Sequence, residues 1–413
     1  MMLVESVSIV GLWGSRNFDA SFFEDSNFLI GPNGSGKTTV INLIAAVLTA
    51  DWPTLTRIPF ARVRLILNDQ ETGSKSTVSV DKSFDRQRRF PILSYRFEDD
   101  KPARDYSGDD IDRQLRHYPA RRMIGAVSEE LRSVVRVQWL SIHRSPLQPE
   151  DDDDDESYES TVDQKLDELS RELIKFFSKL ASAGEAESEQ FQKTVFTSLL
   201  YGQTSQWDLI ASVKSLNLER EKTALEEIFR KFGVPERAYS DQLTEHFNLV
   251  SAALASGSQL STPHLIALVS MRSIHRVVTE WQSTLERQLE ISKPKEQFLS
   301  LLNEMMKPRK RFSVNEKNEL QSWVGERPIG IPELSSGEKQ MLILLGEALL
   351  QERENWVYIA DEPELSLHVK WQESLTDNLR QINPSAQIIF ATHSPDIVGP
   401  HQDRVLNVED LLR

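Results

Sequence analysis

A chain of 413 residues, 39% hydrophobic and 27% charged, has room for two or three ordinary domains and a sizeable core. Its 63 acidic against 48 basic residues leave a net charge of −15, so the surface as a whole repels nucleic acid and anionic membranes, and any contact with a polyanion must be local. The absence of cysteine excludes disulfides and thiolate metal sites, no apolar run approaches a membrane span, and no basic segment precedes an apolar one at the N-terminus; a cytoplasmic protein without membrane contact is expected.

In chain order, Val7 to Leu12 and Phe28 to Ile30 read as strands, and Lys37 to Leu48 as a helix of continuous apolar character. The alternation in Arg62 to Leu67, Ser76 to Val80 and Ile92 to Phe97 predicts an antiparallel sheet, and Val134 to Ile142 is a further apolar run. Composition then shifts through Pro146, Pro149 and the acidic run Asp151 to Glu156 into a segment rich in Glu, Lys, Leu, Ser and Ala. Leu166, Leu169, Leu173, Phe176 and Leu180 repeat at spacings of three and four, as do Met271, Ile274, Val278, Trp281 and Leu285. Such seams predict helices packed as a bundle or a short antiparallel coiled coil, each too brief for a long rod. Gly233 with Pro235, and Thr262 with Pro263, punctuate the helices between.

Strand character returns at Arg311 to Val314 and Leu320 to Val324. From Ser335 the order is helix (Glu338 to Gln351), buried strand (Trp356 to Ala360), helix (His368 to Gln381) and strand (Gln387 to Ala391), the alternation a parallel α/β sheet requires. The boundaries expected are 1–148 and 307–413 for the two parts of one α/β domain, with 149–306 as a helical insertion.

Gly31 to Thr38 matches G-x-x-x-x-G-K-[ST] between an apolar strand and a helix, the context this phosphate loop demands. Asn33, Gly34, Ser35, Gly36, Lys37, Thr38 and Thr39 are therefore the candidate nucleotide-binding residues. Backbone amides and the helix N-terminus face phosphate oxygens, Lys37 reaches the β and γ oxygens, and Thr38 can ligate Mg²⁺. Val357 to Glu362 is an apolar strand ending in two carboxylates. Alone it could be a surface turn; beside a phosphate loop, Asp361 is placed to hold the metal and Glu362 to polarise the attacking water. Ser335 with Glu338 has capping-box spacing and, taken alone, is a helix cap. His393, just past an apolar strand, fits a satisfied loop residue as readily as a catalyst.

Together GPNGSGKTT (Gly31 to Thr39), LSSGEKQ (Leu334 to Gln340), ADEPELSLH (Ala360 to His368) and ATHSP (Ala391 to Pro395) resemble an ABC-class ATPase, of the branch containing SMC, RecF and the overcoming-lysogenisation-defect (OLD) proteins. The resemblance implies an α/β fold: an ABC-type P-loop ATPase head with an N-terminal antiparallel β subdomain and an all-helical insertion. It further implies ATP and Mg²⁺ as cofactors, and Lys37, Glu362 and His393 as the catalytic group. Ser335, Gly337 and Glu338 would meet a nucleotide held by another subunit, in a homo-oligomer with ATP sandwiched between heads. Glu364 to His368 resembles the D-loop. Gln138 is the candidate glutamine-loop residue and third metal ligand, and equally a strand-edge residue.

The chain departs from relatives in that branch. Its insertion is short for an SMC arm, a zinc hook is impossible without cysteine, and the sequence given runs only 20 residues past His393, so no Toprim nuclease domain is expected in it. Its closest character is that of stand-alone ATPases of anti-phage systems such as PARIS (AriA) and Septu (PtuA). That likeness implies a sensor or scaffold ATPase controlling a separate effector, a Toprim or HNH nuclease encoded nearby, with a phage-encoded trigger protein. The alternatives are a RecF- or SMC-like DNA-repair ATPase and a weakly active ATPase serving as an oligomeric scaffold. Arg86, Arg88 and Arg89; Arg116, Arg121 and Arg122; and Lys307, Arg309, Lys310 and Arg311 are local basic clusters open to a DNA backbone, though solvated loops on an acidic protein are favoured. His143 and Arg144 could approach the nucleotide, with the bland reading again favoured.

Overall fold

Segments such as Arg62–Asn68, where buried side chains alternate with more exposed ones, build a six-stranded antiparallel sheet at the N-terminal end of the chain, seen in a computed structural model. The described residues are 1–84, 91–97, 104–107, 127–140, 161–198, 206–256 and 260–413. The arginine clusters at 86–89 and 116–122, His143, Arg144 and the acidic run Asp151 to Glu156 lie outside them.

The strands are β1 (Leu3–Leu12), β2 (Arg16–Ser21), β3 (Ser26–Ile30), β4 (Arg62–Asn68), β5 (Lys75–Ser83), β6 (Ile92–Phe97), β7 (Arg104–Ser107), β8 (Val137–Leu140), β9 (Arg311–Val314), β10 (Leu320–Val324), β11 (Arg327–Ile329), β12 (Val357–Asp361), β13 (Gln387–Ala391) and β14 (Val405–Asn407). The antiparallel sheet has the order β2-β1-β4-β5-β6-β7, and a smaller antiparallel sheet the order β11-β10-β9. Five parallel strands form the third sheet, β14-β3-β13-β12-β8. The chain divides into one compact unit of Met1–Lys175 with Lys295–Arg413 and a second of Phe176–Pro294.

In the first unit, the helix Lys37–Thr49 is buried on nearly every side, which explains why its sequence is apolar all round. Its Val40, Leu43, Ile44 and Val47 share one core with Val63, Leu65, Val78 and Val80 of the antiparallel sheet and with Leu29, Val357, Ile359 and Ile389 of the parallel one. Gln387, fully buried, ties the two sheets: its side chain accepts from the Val4 amide at 2.8 Å and donates to the Val4 carbonyl at 2.7 Å. On the opposite face of the parallel sheet, Tyr358 packs against Phe390 and donates its hydroxyl to the Leu344 carbonyl of the helix Ser336–Leu350. That burial, with Glu347 nearby, holds the Tyr358 phenol well above its ordinary pKa.

The second unit is entirely helical among the described residues. Val213, Leu225, Ile228, Leu243, Phe247, Val250, Leu268, Met271 and Val278 form its core. Two long helices, Thr161–Ser198 and Thr262–Met306, pass into it and run antiparallel there, with Arg287 paired to Glu187, Phe191 against Trp281, and Ser273 bonded to the Ser198 carbonyl. They extend for 38 and 45 residues, well past the seams that the spacing picks out. Hydrogen bonds and ion pairs, such as Gln288 to Gly184 and Ser188, take over from apolar spacing beyond each seam. Pro294, where this unit ends, sits inside the longer helix despite lacking an amide to bond four residues back.

The architecture is the α/β head, with an N-terminal antiparallel sheet and an all-helical part, that the sequence leads one to expect. None of the helices among the described residues is long and apolar enough to cross a membrane.

Candidate active site

Register alone gathers three of the sequence motifs. Ala391 lies beside Leu29 on one side and beside Asp361 on the other, so β3, β13 and β12 end level with one another. The segments leaving those ends are the phosphate loop, Thr392-His393 and Asp361-Glu362, at the carboxyl edge of a parallel sheet where ligands ordinarily bind.

The phosphate loop passes directly into the helix Lys37–Thr49, whose first turn carries no acidic residue, so its positive end is not neutralised from within. Gly36 caps that helix at φ 99°, and a Cβ on it would lie 2.5 Å from the Trp13 ring. The backbone conformation requires glycine there, and its missing side chain lets the indole lie against the loop. Lys37 is buried, its ammonium donating to the carbonyls of Gly31 at 2.8 Å and Pro32 at 3.1 Å. Burial lowers its pKa, partly offset by Glu362, Asp361 and Glu364. This lysine is a fixed cation held over the loop that a phosphate would occupy.

Thr38 donates its hydroxyl to Asp361 at 3.2 Å. A hydroxyl and a carboxylate oxygen side by side are hard donors suited to Mg²⁺, which keeps much of its shell for water and phosphate oxygens. Among the described residues no group of three or more His, Asp or Glu side chains is gathered for a metal. The Thr38 hydroxyl and Asp361 carboxylate fit an ion that takes its remaining ligands from water and a nucleotide. Glu362 stands at φ 49° with its amide bonded to the Ala391 carbonyl, and its Oε1 lies 3.7 Å from His393 Nε2. Asn33, Gly34, Gly36, Lys37, Thr38, Thr39, Glu362 and His393 line one cleft of about 570 Å³ together with Trp13. Ser35 is in the same loop, its hydroxyl buried without a hydrogen-bond partner among the described residues.

Ser335, Gly337 and Glu338 are not among the residues lining that cleft. Ser335 caps the helix Ser336–Leu350, and its amide and hydroxyl both donate to Glu338 at 2.7 and 2.8 Å. Glu338 also pairs with Lys310 at 2.6 Å. Burial works to raise the Glu338 pKa, but Lys310 and Ser335 outweigh it and hold the carboxyl below its ordinary value. Gly337 is forced by close approach: a Cβ there would lie 2.4 Å from the Ser366 carbonyl oxygen.

Gln138 is not brought to the group. It pairs in register with Tyr358, three residues upstream of Asp361 and so about 10 Å short of the strand end. Its neighbours Val137 and Trp139 face the core that holds the phosphate-loop helix, which leaves Gln138 on the Tyr358 side of the sheet. The fold thus places it on the edge strand β8, the alternative reading left open for it from the sequence.

Trp13 escapes a reading of the motifs, and the contacts of Glu364, the first residue of the D-loop-like segment, are not legible in them. Trp13, 41% exposed in the turn between β1 and β2, has a left-handed backbone (φ 53°) held by its amide bond to Pro59, and its ring forms a wall of the cleft. An aromatic between two glycines was the available signal. Glu364 is buried, and its Oε1 accepts from Thr392 Oγ1 at 2.6 Å, the His393 amide at 2.9 Å and the Ser394 amide at 3.2 Å.

The model of one protein family, described as "AAA domain, putative AbiEii toxin, Type IV TA system", matches residues 26–399. The chain belongs to this family. The AAA-domain protein is accordingly a nucleotide-binding P-loop ATPase, and the match spans both parts of its head and the helical unit between them. Among solved structures it is similar to the SMC head domain of Pyrococcus furiosus with an extended coiled coil, bound to the C-terminal domain of ScpA. That likeness has 15% identity and a TM-score of 0.45, covering 96% of this chain and 91% of that one. It is also similar to the SMC head of Pyrococcus yayanosii with a coiled coil and joint, at 14% identity and a TM-score of 0.40, covering 96% of this chain and 93% of that one.

Proposed function

We propose that this AAA-domain protein binds and hydrolyses Mg-ATP between two copies of its head, as the sensor or scaffold subunit of a bacterial anti-phage system that controls a separate nuclease effector. The observation that carries the ATPase chemistry is the levelling of β3, β12 and β13, which puts Lys37, Thr38, Glu362 and His393 around one cleft with Asp361 bonded to Thr38. In this reading Lys37 and the loop amides hold the transferring phosphoryl charge. Thr38 and Asp361 hold Mg²⁺, which neutralises phosphate charge when bound. Glu362 orients the attacking water, His393 reads the γ-phosphate, and Trp13 offers its ring to the base.

The second copy enters because Ser335 and Gly337 sit outside the cleft of their own chain. Ser335 is exposed at the start of its helix and can face a nucleotide held by a partner, while Gly337 is buried within the first turn. The family's printed description, with its putative toxin of a Type IV TA system, supports a place in conflict systems. The choice of an anti-phage sensor goes further, and rests on the resemblance to stand-alone defence ATPases. A nuclease effector and a phage-encoded trigger belong to the same proposal, and the helical unit is the surface proposed to capture the effector. A net charge of −15 weighs against DNA as the general ligand.

The test pairs two variants. Lys37→Ala should lose ATP binding by about 10²-fold, as removal of a buried charge-assisted donor implies. Glu362→Gln should keep binding and lose turnover by about 10²-fold or more. Equal turnover in wild type and Glu362→Gln refutes the assignment of the carboxylate. Mixing Lys37→Ala with Ser335→Arg should restore part of the activity, because a mixed dimer keeps one intact composite site. Purely additive loss despite proven subunit exchange would make Ser335 a helix cap only. The defence reading is tested by co-purification with the products of neighbouring genes: tight, steeply salt-dependent DNA binding by a lone dimer would overturn it.

A further inference from the structure

A buried carboxylate is costly, so its presence needs a task. Glu364 is only 8% exposed, and the cleft's lining residues do not include it. Three donors of a single turn, Thr392 Oγ1 and the amides of His393 and Ser394, converge on its Oε1, while its Oε2 is buried with no hydrogen-bond partner among the described residues. Successive amides aimed at one oxygen form the nest that backbone makes for an anion.

We propose that Glu364 is the positioning residue of the hydrolytic site, a role that rests on the ATPase reading above. It locks the turn bearing His393 onto the turn bearing Glu362 through backbone amides, and so sets the separation of the His393 ring and the Glu362 carboxylate without bonding to either side-chain group. Glu362 stands at φ 49°, a conformation that a residue other than glycine keeps only where its surroundings over-determine it. The Glu362 amide is bonded to Ala391, and the Leu365 amide to the Glu362 carbonyl at 3.2 Å, which turns the chain back so that Glu364 lies under Thr392 to Ser394. Gln372 repeats the tie between the same two segments: it donates to the Leu367 carbonyl at 2.9 Å and accepts from the Ser394 hydroxyl at 2.7 Å. Gln340 holds the same turn from the Ser336–Leu350 helix by donating to the Pro363 carbonyl at 2.8 Å. The 3.7 Å between Glu362 and His393 is thereby the product of a braced frame, with Glu364 at its centre.

The experiment uses the full chain and three variants: Glu364→Ala, Glu364→Gln and Thr392→Val. ATP turnover, equilibrium binding of a fluorescent ATP analogue, and hydrogen exchange of the 389–396 segment are measured on each. Glu364→Ala should lower kcat by about 10²-fold, the effect of misplacing a catalytic group by an ångström, with nucleotide affinity within about threefold of wild type. Glu364→Gln keeps an oxygen where Oε1 accepts its three bonds and should recover kcat to within about fivefold of wild type. Thr392→Val removes one donor and should fall between. Exchange at the His393 and Ser394 amides should accelerate in Glu364→Ala and stay slow in Glu364→Gln.

A kcat for Glu364→Ala within twofold of wild type overturns the proposal, as does a Glu364→Gln enzyme as slow as Glu364→Ala, or affinity that falls in step with kcat. If Glu364→Ala does not fold, Thr392→Val decides, and unchanged turnover in it overturns the role. If the wild-type chain proves not to hydrolyse ATP, the ATPase reading fails by itself. The exchange measurement then still decides the brace: unaltered protection in Glu364→Ala overturns it.

Discussion

Thr38 and Asp361 are 323 positions apart in the chain and share a hydrogen bond of 3.2 Å. That bond joins the first turn of the phosphate-loop helix to the end of β12, and it places two hard oxygens where a nucleotide-borne cation would sit.

The pair should behave as a unit toward Mg²⁺. Thr38→Ala and Asp361→Asn should each weaken Mg²⁺-dependent ATP binding, and the double variant should lose less than the sum of the two, since neighbours in one network are not additive. A Mg²⁺ titration of nucleotide binding on all four proteins checks this. Strict additivity would place the two oxygens on different ligands.

Trp13 provides a spectroscopic handle as well as a wall of the cleft. Trp13→Ala should weaken ATP binding by about 1–3 kcal/mol, the ordinary contribution of an aromatic ring stacked on a base, and Trp13→Phe should keep much of it. Affinity for inorganic triphosphate should be unchanged in both. Equal losses for ATP and triphosphate would assign the indole to shaping the phosphate loop through Gly36.

Gly337→Ala forces a Cβ to within 2.4 Å of the Ser366 carbonyl oxygen, a backbone atom that cannot rotate away. Overpacking of this kind costs about 1–3 kcal/mol. Denaturant unfolding should show that loss, and the backbone around Ser366, already at φ 69°, should be where hydrogen exchange rises.

Glu338 makes stability depend on pH in a fixed direction. Its folded pKa lies below the ordinary 4.5, so the unfolded chain takes up its proton first as pH falls. The stabilisation from Lys310 and Ser335 is complete above that ordinary value and is lost as pH drops through the lower, folded one. Glu338→Gln should be less stable than wild type by about 1–3 kcal/mol at neutral pH, and the difference should shrink toward pH 3. Unfolding curves at the two pH values measure it.

Local chemistry was legible without coordinates wherever a motif lies within one strand, loop and helix. Gly31 to Thr39 shows its function because the amides, the lysine and the helix start that hold phosphate are all neighbours in the chain. The same is true of the alternation that builds β4, β5 and β6, and of the apolar helix Lys37–Thr49, since periodicity is itself a local property. The two readings of Gln138 stayed open because nothing in a strand's own residues states its register; pairing with Tyr358 does that, from more than two hundred positions away. The full extent of the two long helices escaped the spacing because ion pairs and hydrogen bonds between them, such as Arg287 with Glu187, need no apolar repeat. Trp13 reaches Gly36 only because the turn after β1 packs on the loop after β3, and Glu364 reaches the turn at His393 only because β12 and β13 are paired and end level. What residue types the site contains is written along the chain. Which of them meet is decided by sheet order and register, because those depend on hydrogen bonds and burial between segments that the chain itself keeps far apart.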